Sequence, residues 1–442
     1  MVEDLVARRG ETSGPGLPAR RAALVALRAV DEEGAYSNLA VPAAVSRLRD
    51  ARDRSFASHL AYDTLRWEGT LDWALEQVLD RPLDAVEPPL RRLLRLGALQ
   101  LLRTEVPPAA AVATAVHLAR EVVPNPRSRR AAAFVNGVLR ALSRRVSKGL
   151  DWPEPATDPV GSLALTTAHP SWLTAELVER LGRDEARAAL EGDNIPPGLT
   201  LRAVGDRDEL LSELRASGVE ALPGRHAPEA VRAQGADPRR LAAVAEGRAV
   251  PQDEASMLVV HATRVQDGDR VLDLCAGPGG KTTHLATLAG PEGQVVAVEL
   301  HPHRAELVRA AAAKLGVAAD VRVGDGTDPP VEGSFDVVLV DAPCTGFGTG
   351  RRRPEVRWRR TQNDAYELAR LQRRLLAAGG ERTRPGGHVT YAACTWTQPE
   401  TTAIVAGFLE RDARFVLVEE VQRWPHRDGT DAMYHATLRR KW

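Results

Sequence analysis

The sequence predicts three folded parts: an all-α N-terminal domain, a small α+β middle module, and a C-terminal α/β domain with a doubly wound, mostly parallel sheet. Leucine and alanine recur at helical spacing through residues 19–147. A stretch rich in Pro and Asp follows at residues 148–160 and reads as a linker. From residue 251 onward, short runs of Val and Leu alternate with helical patterns, which is typical of parallel strands joined by helices.

The N-terminal residues and the cysteine count indicate the compartment. Residues 1–18 contain acids and lack an apolar core, so we expect a disordered lead-in rather than a signal peptide. No apolar run reaches the ~20 residues of a membrane span. The three cysteines are isolated, which predicts a reducing compartment, no disulfides and no zinc site. We therefore expect a cytoplasmic protein without a membrane partner or a bound metal.

The helical domain at 19–147 is the basic part of a formally neutral chain. Residues 1–150 carry 23 Lys and Arg against 17 Asp and Glu. Residues 126–150 hold six Arg, one Lys and no acid. This run is either a solvated helix face or a patch that faces phosphates.

The middle module is predicted at residues 161–250. Residues 197–204 have the pattern of a strand and residues 208–219 that of a helix. These elements indicate a small α+β unit, and its residues alone suggest no chemistry.

The C-terminal domain, residues 251–442, opens on a strand that ends in a glycine-rich turn. A P-loop would need Gly at the position of Cys275, and a dinucleotide fingerprint beginning at Gly277 would need Gly at the position of Thr282. S-adenosylmethionine needs only a tight turn around its amino acid part. Pro278 fits that ligand better than a phosphate, because proline donates no backbone hydrogen bond.

Further polar residues lie where the later strands end. The predicted strands are 271–275, 294–300, 319–325, 335–344 and 387–394, with a closing, antiparallel strand at 432–440. Ligands bind at the carboxyl ends of such strands. Glu299 is placed to accept ribose hydroxyls, and Asp325, in competition with Asp328, is placed to meet an adenine edge.

The cysteines also follow strand ends and predict the reaction. Cys344 and Cys394 leave neighbouring strands and can face one substrate, with Asp341 beside them, whereas Cys275 reads as a packed residue whose backbone lines the pocket. A thiolate that adds to carbon 6 of a pyrimidine makes carbon 5 nucleophilic enough to accept a methyl group. An acid near the ring nitrogen assists addition, and a second thiol assists release. The target base would have to be unstacked or flipped.

The motifs VLDLCAGPGGKTTH, VVAVEL, DAPCTGFGTGRRRPEVRW, LQRRLL and PGGHVTYAACT resemble those of RNA (cytosine-5) methyltransferases. The stretches LRRLLRLGALQLL, AVHLARE and FVNGVLRAL resemble the NusB-type RNA-binding domain, and PQDEASMLV also resembles the RsmB/Sun branch, which acts on 16S ribosomal RNA. The resemblance covers residues 19–442 and implies a Rossmann-like catalytic domain and a middle module that contacts RNA.

The resemblance also implies roles for single residues. Cys394 becomes the nucleophile, Cys344 the release cysteine and Asp341 the residue that handles the base. The implied cofactor site consists of Cys275, Ala276, Gly277, Pro278, Gly279, Gly280, Lys281, Glu299, Asp325 and Asp341. The chain departs from the family pattern at Ala393, where a Thr is usual, and at Glu299, where Asp is commoner.

A basic segment, residues 350–360, follows the Cys344 motif. Its six arginines suit phosphate contact, and Arg351, Arg352 and Arg353 are the candidates for RNA binding. Trp358 either stacks on a base or belongs to the core. We expect a monomeric RNA cytosine-5 methyltransferase acting on 16S ribosomal RNA. The alternatives are the same chemistry on transfer RNA, and a non-catalytic RNA-binding protein of ribosome assembly.

Overall fold

The computed structural model describes residues 16–442, which form two compact units. The first unit runs to Asn194 and also contains Arg352–Arg359, and the second contains Ile195–Arg351 and Arg360–Trp442. Most of the predicted lead-in, residues 1–15, lies outside the described residues. Its predicted end at residue 18 is wrong, because the first helix begins at Leu17 and Pro18 is tolerated in a first helical turn.

The described part of the first unit is helical, as the sequence predicts. Its helices are Leu17–Glu33, Ser37–Val45, Ala51–Arg66, Glu68–Glu76, Leu83–Ala85 (a 3-10 turn), Pro88–Arg103, Pro108–Val122, Ser128–Lys148, Pro159–Thr167, Ser171–Leu181, Arg183–Asp193 and Val356–Arg359. Leu and Ala from successive helices form one buried cluster that includes Leu27, Leu60 and Leu93. The basic run lies on the solvent side of Ser128–Lys148, where Arg129, Arg130, Arg140 and Arg144 are exposed.

The predicted start of the middle module falls at the first of three helices. By their contacts, the three helices from Pro159 to Asp193 group with the first unit. Helix Pro159–Thr167 packs on helix Glu68–Glu76, where the Thr70 hydroxyl donates a 2.6 Å hydrogen bond to the Leu165 carbonyl. Contacts this distant in sequence leave no local signal, and the sequence boundary at residue 161 stays a prediction.

The second unit begins with a four-stranded antiparallel sheet in the order β2-β3-β1-β4. The strands are β1 (Leu199–Ala203), β2 (Glu220–Pro223), β3 (Ala230–Gln234) and β4 (Ala249–Pro251), accompanied by Arg207–Ala216, Pro238–Arg240 and Ala242–Ala245. Asp206 caps the longest of these helices by accepting from the Asp208 and Glu209 amides. The predicted strand corresponds to β1, and the predicted helix corresponds to Arg207–Ala216.

A seven-stranded sheet forms the rest of the second unit, in the order β10-β11-β9-β8-β5-β6-β7. The strands are β5 (Arg270–Asp273), β6 (Gln294–Glu299), β7 (Asp320–Val323), β8 (Phe335–Asp341), β9 (Thr383–Ala393), β10 (Phe415–Arg423) and β11 (Met433–Arg440). Pairing is parallel from β7 through to β9, and β11 is antiparallel, as predicted. The sequence missed β10, because charged and amide side chains interrupt its apolar residues at this edge of the sheet.

Helices and 3-10 turns surround the seven-stranded sheet. They are Glu254–Ala262, Gly280–Ala289, Pro302–Leu315, Gln362–Arg382, Thr402–Arg411 and Pro425–Asp428, with the 3-10 turns Phe347–Thr349 and Gln398–Glu400. Strand order reverses at β5, which pairs with β6 on one side and β8 on the other, so ligands are expected at its carboxyl end. None of the helices in residues 16–442 is long and apolar enough to cross a membrane.

Candidate functional site

The turn after β5 is shaped by glycines. Gly279 has φ of 106°, which L side chains rarely adopt, and the next helix begins at Gly280. A Cβ on Gly277 would lie 2.3 Å from the Glu299 carboxylate, so any larger residue there would force the Glu299 side chain to shift. The predicted cofactor loop from Cys275 to Lys281 therefore packs directly against the end of β6.

Glu299 ends β6 and its side chain is buried. It accepts hydrogen bonds from the amides of Gly277 (2.9 Å) and His301 (3.0 Å). Arg304, which the sequence analysis did not single out, donates to the Gly277 carbonyl at 2.6 Å and lies 3.7 Å from the carboxylate. Each carboxylate oxygen has further acceptor capacity, which suits the proposed ribose contact.

Asp325 lies in the loop after β7 and is exposed. Its carboxylate accepts from the Thr327 amide at 2.8 Å, and hydrogen bonds from Thr327 lower the pKa of Asp325. The neighbouring Gly326 approaches β5 closely, since a Cβ there would lie 2.6 Å from the Leu274 carbonyl oxygen. The loop that carries Asp325 thus abuts the end of β5, where the glycine turn begins.

Lys281 and Asp341 form an ion pair beside this turn. The Lys281 Nζ lies 2.7 Å from Oδ2 of Asp341, the last residue of β8. Burial lowers the pKa of Lys281, but the charge and hydrogen bond of Asp341 outweigh it and raise the pKa overall. Lys281 therefore remains a cation at the site.

Cys344 and Cys394 meet above β8 and β9, with their sulfur atoms 3.3 Å apart. The hydrogen bond to Cys394 and burial together raise the pKa of the Cys344 thiol well above its ordinary value. Either sulfur can donate the hydrogen bond between them. Cys275 also has a raised pKa, caused by burial and by the charge of Asp273, and an inert thiol agrees with its predicted packing role.

Glu400 and Gln372 support the cysteine loops and were missed by the sequence analysis. The buried Glu400 carboxylate accepts from the Thr345 amide at 2.8 Å and from the Gln372 side chain at 3.1 Å. Gln372 also donates to the Pro343 carbonyl at 2.9 Å. The only local signal was an acid six residues after Cys394 in a stretch otherwise rich in Thr.

Comparisons with known proteins cover nearly the whole chain. Residues 260–439 match the family described as 16S rRNA methyltransferase RsmB/F, residues 17–144 the NusB family, and residues 169–238 the RsmF/B-like ferredoxin-like domain. A putative methyltransferase of Mycobacterium tuberculosis is 43% identical over 462 residues, covering 98% of each chain. The probable ribosomal RNA small subunit methyltransferase B of Bacillus subtilis is 33% identical, covering 96% of this chain and 98% of its own. The chain belongs to the RsmB/F family of methyltransferases.

Solved structures share the fold of this RsmB/F chain. The crystal structure of PH0851 covers 97% of this chain and 100% of its own, with a TM-score of 0.85 and 25% identity. The structure of NSun6 from Pyrococcus horikoshii with SFG covers 62% of this chain at 20% identity, with a TM-score of 0.57, and shows the same fold. The prediction of an RNA methyltransferase with a NusB-like N-terminal domain and a Rossmann-like catalytic domain is confirmed.

The arginine segment of this RsmB/F methyltransferase is packed rather than free, which corrects the prediction for Arg351. Arg351 is buried and donates to the carbonyls of Ile195 (3.0 Å), Gly429 (2.9 Å) and Thr430 (3.0 Å). Its guanidinium is committed to main-chain carbonyls of the second unit, so it is not available to a phosphate in this conformation. Arg353 is half-buried in the first unit.

The remainder of that segment is built into the first unit. The Arg353 guanidinium stacks over the ring of Tyr36 at 4.2 Å. Arg352 is half-buried and remains a candidate for RNA binding. Trp358 donates from its indole nitrogen to the Leu65 carbonyl at 2.9 Å and covers Gly69, where a Cβ would lie 2.4 Å from the ring. Of the two interpretations of Trp358, stacking on a base or packing in the core, packing in the core is confirmed.

One group in the described part of the RsmB/F chain has the composition of a metal site. Glu229, His261 and His284 bring one ligand atom each within 4.8 Å of the others. The Glu229 carboxylate already pairs with His261 at 3.0 Å and with His284 at 3.1 Å. The carboxylate and both imidazoles therefore pair with one another without an ion, and we assign no metal to the group.

Proposed function

We propose that this RNA methyltransferase transfers a methyl group from S-adenosylmethionine to carbon 5 of a cytosine in 16S ribosomal RNA, through a covalent adduct with Cys394. The observation that carries the proposal is the cysteine pair, with sulfur atoms 3.3 Å apart. In this chemistry one thiol adds to carbon 6 of the base and its neighbour assists release, so a close thiol pair suits methylation at carbon 5 of a pyrimidine.

The cofactor is held by the glycine turn and the ends of β6 and β7. The close packing of Gly277 on the buried Glu299 supports this, because it leaves a glycine backbone beside a carboxylate as an adenosine site requires. Glu299 would accept the ribose hydroxyls and Asp325 would meet the adenine edge. S-adenosylmethionine, when bound, supplies an electrophilic methyl group.

Cys394 starts the reaction as a thiolate. Its sulfur bonds to carbon 6 of the cytosine, the carbon 5–carbon 6 double bond opens, and its electrons make carbon 5 nucleophilic. Carbon 5 would then bond to the donated methyl group as the bond between that methyl group and the donor sulfur breaks. Lys281 and Asp341, 2.7 Å apart, together carry a proton that ring nitrogen 3 can share while this charge develops. The Lys281 cation also favours the thiolate form of Cys394.

Cys344 assists the release of the product. Once Cys394 is bound to carbon 6, its sulfur no longer carries the charge that held the Cys344 proton, and Cys344 can lose that proton to water. The Cys344 thiolate then takes the proton from carbon 5, and the carbon–sulfur bond breaks to return its electrons to Cys394. The pair again shares one proton, and the overall reaction releases one proton to water.

The substrate class is argued from the N-terminal domain and from the relatives. The NusB match and the exposed arginines of helix Ser128–Lys148 supply a basic surface suited to phosphates. Two relatives, each matched over 98% of its own length, are named ribosomal RNA small subunit methyltransferase B, one of them as probable. These two observations favour ribosomal over transfer RNA.

The test is adduct trapping with the Cys344→Ser variant, since addition should proceed while release stalls. Small-subunit RNA, cofactor and protein are mixed and separated by denaturing electrophoresis. A shifted band that is absent from the Cys344→Ser/Cys394→Ser double variant supports the proposal, and Cys275, present in both proteins, controls for other thiols. A shift with transfer RNA alone would change the substrate. No shift with either RNA, despite cofactor binding, would favour a non-catalytic role in ribosome assembly.

A further inference from the structure

A buried acid that takes no part in the proposed chemistry lies behind the two cysteines. Glu400 ends the 3-10 turn Gln398–Glu400, six residues after Cys394, and its side chain is inaccessible to solvent. Burying a carboxylate is costly unless hydrogen bonds replace its water. The donors that face Glu400 therefore show what its burial achieves.

Those donors come from both cysteine loops. Thr345, directly after Cys344, donates to Glu400 from its amide at 2.8 Å and from its hydroxyl at 2.6 Å. Thr397, three residues after Cys394, donates its hydroxyl at 2.7 Å. One carboxylate thus bridges the residues that follow the two cysteines.

Two further contacts close the arrangement. The hydroxyls of Thr345 and Thr395 lie 3.0 Å apart, so the residues next to the two cysteines also touch each other. Gln372 donates to both Glu400 and the Pro343 carbonyl, which fixes the residue before Cys344. Cys344 is therefore held on both sides by groups bonded to Glu400.

We infer that Glu400 is a positioning residue that fixes the separation of the Cys344 and Cys394 sulfur atoms. It acts through the threonine and glutamine side chains. Its consequence for methyl transfer rests on the proposed function, whereas its effect on the sulfur separation does not. A residue misplaced by about 1 Å in such a site can cost on the order of a hundredfold in rate.

Disulfide trapping measures the sulfur separation without RNA or cofactor. Diamide oxidises two thiols to a disulfide: the sulfur–sulfur bond forms, and the two hydrogens pass to diamide, which becomes a hydrazine. The product is counted by the loss of two hydrogens in the non-reduced intact mass, with peptide mapping to the Cys344–Cys394 pair. The wild-type protein should form this disulfide, and Glu400→Ala should form it at least about tenfold more slowly.

A matched variant separates positioning from general destabilisation. Asp336 lies at the opposite end of β8 and likewise accepts a backbone amide, that of Arg270 at 2.9 Å. Asp336→Asn should lower the melting temperature and leave the rate of Cys344–Cys394 oxidation at the wild-type value. Oxidation of folded Glu400→Ala at the wild-type rate would overturn the inference.

Milder variants keep the test open if Glu400→Ala does not fold. Glu400→Gln keeps the shape but has one acceptor oxygen in place of two, and Thr397→Val removes one donor. Both should slow disulfide formation to intermediate degrees, and wild-type rates in both would equally overturn the inference.

Turnover separates this inference from the proposed function. If both hold, Glu400→Gln should lower kcat for methyl transfer about tenfold while leaving the Kd for S-adenosylmethionine unchanged. Slower disulfide formation together with no adduct in Cys344→Ser would keep the positioning role and reject the proposed chemistry. Disulfide formation at the wild-type rate in the Glu400 variants, together with an adduct in Cys344→Ser, would reject the positioning role and keep the proposed chemistry.

Discussion

Asp273 should make the second unit less stable as the pH rises through the weakly acidic range. It ends β5, is buried, and accepts a 2.7 Å hydrogen bond from the Thr282 hydroxyl. Burial raises the pKa of Asp273 from an ordinary 3.8 to about 6, and the nearby charge of Asp341 adds to the effect. The folded state therefore holds this proton more tightly than the unfolded state does.

The magnitude follows from the pKa difference. Each pKa unit corresponds to about 1.4 kcal/mol, so the ionised Asp273 costs about 3 kcal/mol of folding free energy. The cost is absent below pH 3.8, grows as the pH rises, and is complete above about pH 6. Roughly 2 kcal/mol of it arises between pH 4.5 and pH 7.5.

The neutral variant Asp273→Asn removes this titration and keeps an oxygen for Thr282. Relative to wild type, it should therefore gain about 2 kcal/mol of stability between pH 4.5 and pH 7.5. Urea unfolding at both values, read by proteolysis of second-unit peptides, measures the difference. A stability difference independent of pH would refute the reasoning.

Asp336→Asn is the control for Asp273→Asn. Burial acts to raise the pKa of Asp336, but hydrogen bonds from the Arg270 amide and Arg384 outweigh it, and the pKa is lowered overall. Its ionised form therefore favours folding at neutral pH. This variant should lose stability at pH 7.5, opposite in sign to Asp273→Asn.

Three further predictions concern both units. Arg357→Met should destabilise the first unit by about 3–5 kcal/mol in thermal unfolding, because it strips a buried cation from the buried Asp193; an unchanged melting temperature would contradict this. Burial, with the Arg357 charge, lowers the pKa of His169 to about 4, so stability should fall by about 3 kcal/mol as the pH drops from 6.5 to 4. His169→Gln should flatten that loss in acid titrations of stability, and an equally steep loss would argue against a neutral His169. Glu299→Gln should weaken S-adenosylmethionine binding about tenfold in calorimetry, whereas wild-type affinity would remove Glu299 from the cofactor site.

The sheet and its motifs were predictable because their signals are local. Apolar runs that end at Gly277 or at Asp341 identify strands and their carboxyl ends from a few consecutive residues. The strand β10 was not predictable in this way, because it lies at the edge of the sheet, where polar side chains interrupt the apolar run. The helices at Pro159–Asp193 pack with the first unit through contacts such as Thr70 to Leu165, which no local pattern in the sequence reveals.

The sequence by itself determined the fold class, the glycine turn and the acids and cysteines at the strand ends, because short patterns of polarity and glycine set these features. Tertiary structure alone decided which of these groups meet and which are already used. Glu400 reaches Thr345 across 55 positions, and Trp358 reaches Leu65 across 293. Arg351 looked like a free cation in sequence, yet its carbonyl partners at Gly429 and Thr430 become neighbours only when the chain folds. Hydrogen bonds between residues so far apart leave no periodic trace along the chain.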